Sequence, residues 1–296
     1  SLRRVWNPKP LHTWCRNEND SLLLVKVPKS ASSTAAAIAL RIQDWHGCQT
    51  SWKHGRASEL FGNRKQPSFL LAPVRDPESR ALSSVFFHQI SFHRGRGNNN
   101  TPPDSYLIQH LARIKPNYIT DYIQLSDDVI DTDTVETIVN SYDFLMVADR
   151  MDESIVVLSW IMSVLIASFL TMSSKLGGSW YYTGNSCIEL VQPMRSDGLD
   201  QYFASDEWRA SHRMDRLLYQ VANLSLDATI AQIPNFRVRL RDFQMLQSRI
   251  QQACGNETHF PCSSTGEPQL DLARSSCYLR DFGCGHSCID HYISSL

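Results

Sequence analysis

The chain has 296 residues, 42% of them apolar and 20% charged, with a formal net charge of -1 at neutral pH. That length suits one large domain or two small ones, and the composition excludes a disordered or fibrous chain. A near-zero net charge excludes a global field for nucleic acid or an anionic membrane, so any anion site has to be local.

The first predicted element is the apolar run "SLLLVKV" from Ser21, of strand length. A turn follows, then the alanine-rich "STAAAIALRIQDW" with Ile38, Ile42 and Trp45 at helical spacing. Ser32 or Ser33 is placed to cap that helix. Strand, tight turn and helix open a βαβ unit. The turn lies within "VKVPKSASST", Val25 to Thr34. Lys29, the N–H groups of a helix N-terminus and the hydroxyls of Ser32, Ser33 and Thr34 converge there on one small volume, as in a phosphate cradle. The alternative is a solvated strand end with an ordinary lysine. The turn holds no glycine and lacks G-x-x-x-x-G-K-[ST], which argues against a nucleoside triphosphate kinase.

The same grammar returns at "SFLLAPVRDPESRALSSVFFHQI". Phe69 to Val74 read as a strand and Arg75-Asp76-Pro77 as the turn. A helix follows from Glu78, burying Leu82, Val85, Phe86 and Ile90. Arg75 offers a planar fork for a phosphate, and Ser83, two helical turns on, a hydroxyl to complete the grip. Equally open is a pairing of Arg75 with Asp76 or Glu78, with Arg80 on the surface. The segment "FHRGRGNNNTPP", Phe92 to Pro103, reads as a loop, either a lid or an exposed connection.

A helical region from Pro103 to Leu125 precedes a third strand in "YDFLMVADR". The stretch "SIVVLSWIMSVLIASFL" nears the length of a membrane span. Its serines, and Asp152 and Glu153 at its start, favour a buried helix followed by a core strand near Ser168 to Met172. "SDEWRASHRMDRLLYQVANLSL" reads as one amphipathic helix with Trp208, Met214, Leu217, Leu218 and Val221 on one face. Strands alternating with helices predict an α/β chain, a three-layer P-loop-like fold whose mostly parallel central sheet has helices on both faces.

Of eight cysteines, five (Cys254, Cys262, Cys277, Cys284, Cys288) crowd the end of the chain. That density reads as a disulfide-stapled tail from an oxidising compartment. Zinc is the rival, with His286 and His291 nearby, but no C-x2-C pair is present. Sequons at Asn99, Asn223 and Asn256 agree with a secretory glycoprotein.

Two anion sites at the carboxyl ends of adjacent strands suit a ligand with two well-spaced phosphates rather than one polyphosphate chain. Here the chain resembles a known family. "VPKSASST" is similar to the 5′-phosphosulfate loop of sulfotransferases, P-K-[TS]-[GA]-[ST]-[ST]-[ST], with Ala31 where many relatives have glycine. "VRDPESRALSSVFF" resembles their 3′-phosphate motif, R-[DE]-P-x-x-R-x-x-S-x-[FY]. "FLMVADRMDESIVVLSWIM" resembles a segment of the galactose-3-O-sulfotransferase branch of Golgi carbohydrate sulfotransferases. The tail beyond residue 250 matches nothing in that family.

The resemblance implies a catalytic domain over residues 1–250 with a tail over 251–296 packed on it. It implies transfer of a sulfuryl group from 3′-phosphoadenosine-5′-phosphosulfate to a hydroxyl of a glycan or glycolipid, galactose-type favoured, without a metal. Lys29 would stabilise the leaving phosphate oxygen. Backbone N–H groups from Ser30 through Ala31 to Thr34, with the Ser32, Ser33 and Thr34 hydroxyls, would hold the 5′-phosphosulfate; Arg75 and Ser83 would hold the 3′-phosphate. His54, in "WKHGRASELF", would be the general base, with His46, His88 and Glu153 in reserve and a plain surface histidine as the alternative. A Golgi-lumenal enzyme is expected, anchored by an N-terminal membrane helix preceding Ser1, with no nucleic-acid partner. The competing functions are sulfation of protein tyrosine or a small alcohol, and a nucleotide- or glycan-binding module without turnover.

Overall fold

The computed structural model describes residues 2–15, 21–64, 67–94, 102–126, 128–172, 179–258, 260–269 and 285–295. Strands β1 (Leu22–Val25), β2 (Thr50–Lys53), β3 (Phe69–Val74) and β4 (Phe144–Val147) form an all-parallel sheet in the order β2-β1-β3-β4. Every residue of β1, β3 and β4 is buried, so alternate side chains meet cover on both faces, as an α/β sheet requires. Each of those Leu, Val or Phe side chains contributes about 1.5–3 kcal/mol by leaving water.

Helices α1 (Ser32–His46), α2 (Ala57–Phe61) and α3 (Pro77–Val85) follow the first three strands. Helix α3 runs on through a π-helical turn, Phe86–Ser91, into α4 (Phe92–Arg94). Then come α5 (Asp104–Leu111), α6 (Tyr118–Ile123), α7 (Thr132–Ser141), and after β4 α8 (Met151–Met162). A two-stranded antiparallel hairpin, β5 (Trp180–Tyr182) and β6 (Cys187–Glu189), precedes α9 (Asp197–Ala204), α10 (Asp206–Ser211), α11 (Arg213–Ile230), α12 (Phe236–Cys254) and α13 (His286–Ser294). No helix among the described residues is long and apolar enough to cross a membrane.

Several elements differ from the sequence expectation. Residues Ile166–Phe169 form a 3-10 turn, and no strand follows at Ser168 to Met172. The Thr171 carbonyl accepts from the side-chain amides of Gln247 (2.6 Å) and Gln251 (3.0 Å) on α12, so that carbonyl is satisfied without a sheet partner. The expected single helix around Trp208 breaks at His212 into α10 and α11. Trp208 packs with Phe203 in a satellite core, whereas Met214, Leu218 and Val221 join the main one. Phe92 to Arg94, expected as loop, are helical. The rest of that loop, residues 95–101, lies outside the described residues together with Asn99, Cys277 and Cys284.

Among the described residues three disulfides form: Cys15–Cys48, Cys187–Cys262 and Cys254–Cys288. They span 33, 75 and 34 residues, lengths at which loop closure stabilises by about 4 kcal/mol each in the chain-entropy picture. The tail does return to the body. Asp290 on α13 accepts from Trp45 Nε1–H at 2.7 Å and lies 2.6 Å from the guanidinium of Arg41, which is fully buried on α1.

The sequons are not equivalent. On α11 the Asn223 amide donates to the Tyr219 carbonyl (3.0 Å), and Ser225 is fully buried with its hydroxyl accepting from Arg4 N–H (2.9 Å). Asn256 sits exposed in the turn after α12. In a secretory host, peptide mass spectrometry after deglycosylation should therefore find glycan at Asn256 and an unmodified Asn223.

Candidate functional site

The carboxyl edge of the sheet collects polar side chains from all four strand ends. After β1 the chain turns through Pro28 to Ala31 before α1 begins at Ser32. Lys29 (φ 64°) and Ala31 (φ 57°) both take the left-handed conformation without being glycine. Such residues cost of order 1–3 kcal/mol each and persist where the surroundings over-determine them. Ala31 occupies the N-cap position of α1 with no side-chain cap, so neither Ser32 nor Ser33 caps the helix as expected. The first-turn N–H groups of Ser32, Ser33 and Thr34 accordingly lack intrahelical acceptors. Ser32 is buried, and Ser33 and Thr34 are half-buried beside it. Ser30 faces inward: its N–H donates to the Val27 carbonyl (3.3 Å), and its side chain is fully buried.

Arg75, at the end of β3, donates from Nη1 to the Lys29 carbonyl at 3.1 Å. The two turns singled out in the sequence are thus in direct contact. Neither Asp76 nor Glu78 is the partner of Arg75 that the sequence left open. Its Nε lies 3.6 Å from Asp149 Oδ1, in the turn after β4, and the other Asp149 oxygen accepts Asp76 N–H at 2.9 Å. Asp76 caps α3 through Ser79 N–H (2.8 Å), and Glu78 pairs with Arg195 (2.6 Å). Ser83 is half-buried on α3.

His54, just past β2, lies exposed with Nδ1 2.8 Å from the Lys26 carbonyl. Because a carbonyl only accepts, Nδ1 carries the proton and Nε2 is the basic nitrogen of the neutral ring. His46 is at the opposite end of α1, 3.1 Å from the Ser168 hydroxyl, and cannot serve this edge. Glu153 is engaged by Arg150.

Phe87, which the sequence did not single out, joins the site with His88, named from the sequence as a reserve base, and Arg80, read from it as a surface residue. Lys29 Nζ stands 3.8 Å from the centroid of the Phe87 ring. Phe87 and its neighbour His88 lie on the π-helical turn, a local under-winding that recurs at functional positions. His88 is held below its ordinary pKa by burial first, then by the charges of Lys29 and Arg80, so it is neutral at pH 7. Arg80 is buried, not superficial, with its guanidinium 4.3 Å from the Tyr118 ring centroid. Burial lowers its pKa, Asp215 opposes that, and Arg75 adds to it. A usable signal was present: Arg80 falls three residues after Pro77 and one before Ala81, on the buried face of α3.

Arg80 rests on a reciprocal pair of caps. The fully buried Asp215 carboxylate accepts from Ile119 N–H (3.0 Å), Thr120 N–H (2.7 Å) and the Thr120 hydroxyl (2.8 Å), while Asn117 Oδ1 accepts from Met214 N–H (2.9 Å). Helices α6 and α11 thus cap each other and fix Tyr118 under Arg80. Comparison with protein-family models, curated proteins and solved structures finds no match.

The same cluster contains His212, stacked on Trp208 at 3.7 Å and pushed down to about 4 by burial, with Arg80 adding to the effect. Between pH 6.5 and 4 the unfolded chain binds a proton at this position that the folded chain does not, so stability falls as the pH falls. From pH 7 to pH 5 urea titrations should show the wild type losing about 2 kcal/mol more than the non-titrating His212→Gln variant.

Proposed function

We propose that the chain is a sulfotransferase that moves a sulfuryl group from 3′-phosphoadenosine-5′-phosphosulfate to a hydroxyl of a galactose-type glycan or glycolipid in the secretory pathway. The observation that carries this reading is the contact between the Arg75 guanidinium and the Lys29 carbonyl, which sets two anion-gripping turns side by side on neighbouring strands. A ribose carrying an anion at each end spans such a pair; a linear polyphosphate needs only one. The three disulfides fit a lumenal setting.

On this reading the first-turn N–H groups of α1 and the hydroxyls of Ser32, Ser33 and Thr34 hold the phosphosulfate. The Ser30 N–H is already spent on its own turn. Arg75, with Asp149 orienting its fork, and Ser83 hold the 3′-phosphate. The acceptor oxygen forms its bond to sulfur as the bond from sulfur to the phosphate oxygen breaks. The electron pair stays on that oxygen, which the Lys29 ammonium stabilises. The acceptor proton passes to Nε2 of His54, whose tautomer the Lys26 carbonyl sets.

Adenosine 3′,5′-bisphosphate should raise the melting temperature, whereas AMP and ATP should not, since a ligand of the native state stabilises by RT ln(1 + [L]/Kd). Equal shifts with all three, or none, would sink the donor assignment. Lys29→Ala should lower kcat about 100- to 1,000-fold with bisphosphate still bound. Arg75→Ala should weaken bisphosphate binding about 10- to 100-fold, the loss of a charge-assisted contact.

A further inference from the structure

Outside the parallel sheet, the β5–β6 hairpin reaches this site. The Tyr181 ring meets the Phe87 ring edge-on, with centroids 5.0 Å apart and planes at 69°, and Phe87 is the ring over which the Lys29 ammonium stands. Phe92 closes on the other flank of Phe87 at 5.9 Å. Trp180, Tyr181 and Tyr182 are all half-buried.

This wall is held in place from several sides. Cys187 at the start of β6 is bridged to Cys262 of the tail, and Trp180 Nε1–H donates to the Ser264 carbonyl at 3.1 Å. Just past β6, Val191 N–H donates to the Ser91 hydroxyl (3.0 Å), which itself donates to the Phe86 carbonyl (2.9 Å) at the start of the π-helical turn. A two-stranded hairpin is marginal by itself, so these attachments are what fix Tyr181 relative to Lys29.

We propose that the hairpin is the acceptor wall, with Tyr181 and Phe87 forming an aromatic corner that takes the C–H-rich face of a pyranose ring. This rests on the sulfotransferase reading and adds to it the subsite that holds the acceptor sugar. The chemistry favours a sugar. Aromatic side chains with an apolar body and a polar tip match a pyranose, which has one face of ring C–H groups and a rim of hydroxyls. The position favours the acceptor over the adenine, because Phe87 touches the lysine that marks the sulfuryl end and not the arginine that marks the 3′-phosphate end.

The test uses lactose as the probe, observed by saturation-transfer NMR on protein saturated with adenosine 3′,5′-bisphosphate, alongside the thermal shift given by the bisphosphate alone. In the wild type the galactose ring C–H protons should receive the strongest transfer. Tyr181→Ala should weaken lactose binding at least tenfold and leave the bisphosphate shift unchanged, while Tyr181→Phe should retain lactose binding. Should Tyr181→Ala fail to fold, Tyr181→Leu keeps an apolar side chain larger than alanine's without the aromatic ring and should give the same loss. Lactose binding that is unaffected by these changes, or absent in a wild type that binds the bisphosphate, overturns the proposal. So does a parallel loss of bisphosphate affinity, which would assign the wall to the donor. A wild type that does not bind the bisphosphate brings down the donor reading itself, an outcome distinct from each of these.

Discussion

One hydrogen bond sets the geometry of the working edge: Arg75 Nη1 to the carbonyl of Lys29. It joins the turn after β1 to the turn after β3, strands that pair in parallel through Leu22–Phe69 and Leu24–Leu71. The left-handed conformation of Lys29 is part of the same arrangement, since it turns that residue out of the regular path between strand and helix. On either side the pattern continues. His54 bonds the Lys26 carbonyl at the end of β1, and Asp149 beyond β4 faces Arg75 and caps Asp76 N–H. A row of polar contacts therefore crosses all four strand ends, and each member is placed by the sheet rather than by its own loop.

The net charge of -1 hides how unevenly charge is distributed. Lys29, Arg75, Arg80 and His88 lie close enough to perturb one another, Lys29 and Arg80 lowering His88, and Arg75 lowering Arg80. Like charges gathered at one edge are costly unless countered. Asp149 counters Arg75 at the rim and Asp215 counters Arg80 inside, and Asp215 is itself committed to capping α6. Asp149 shares the rim with Arg75, the two side chains being similarly exposed, whereas Asp215 lies fully inside.

The strands β1, β3 and β4 and the helices that follow β1 and β3 were legible because their residues vote together: continuous apolar runs, then a turn, then helical spacing. Strand β2, "TSWK", was not, because as an edge strand it is only half-buried and carries no apolar run. Residues 168–172 misled for the converse reason. They are as apolar as a strand, but side-chain amides from α12 take the Thr171 carbonyl, and nothing local announces that. At the site, Lys29, Arg75 and His54 could be named because their motifs are local in sequence. Phe87, Tyr181 and Asp149 could not, since each acts through a partner 58 or more residues away in the chain or on another strand.

The cysteine-rich tail, which resembled nothing, acquires a mechanical role once the bridges are traced. Residues at and beyond Cys254 are tied to the rest of the described chain by Cys187–Cys262, and internally by Cys254–Cys288. The first of these grips the aromatic hairpin; the second holds α13 against α12, while Asp290 holds it to α1 through Arg41 and Trp45. Helix α1 is the helix whose N-terminus faces Lys29. The tail therefore braces both the helix that follows Lys29 and the hairpin carrying Tyr181. Removing Asp290 would leave the fully buried Arg41 guanidinium without that carboxylate, a destabilising change. A brace attached to the hairpin and to the far end of α1 is a more economical account of Cys254, Cys262 and Cys288, the clustered cysteines among the described residues, than a separate module with its own function.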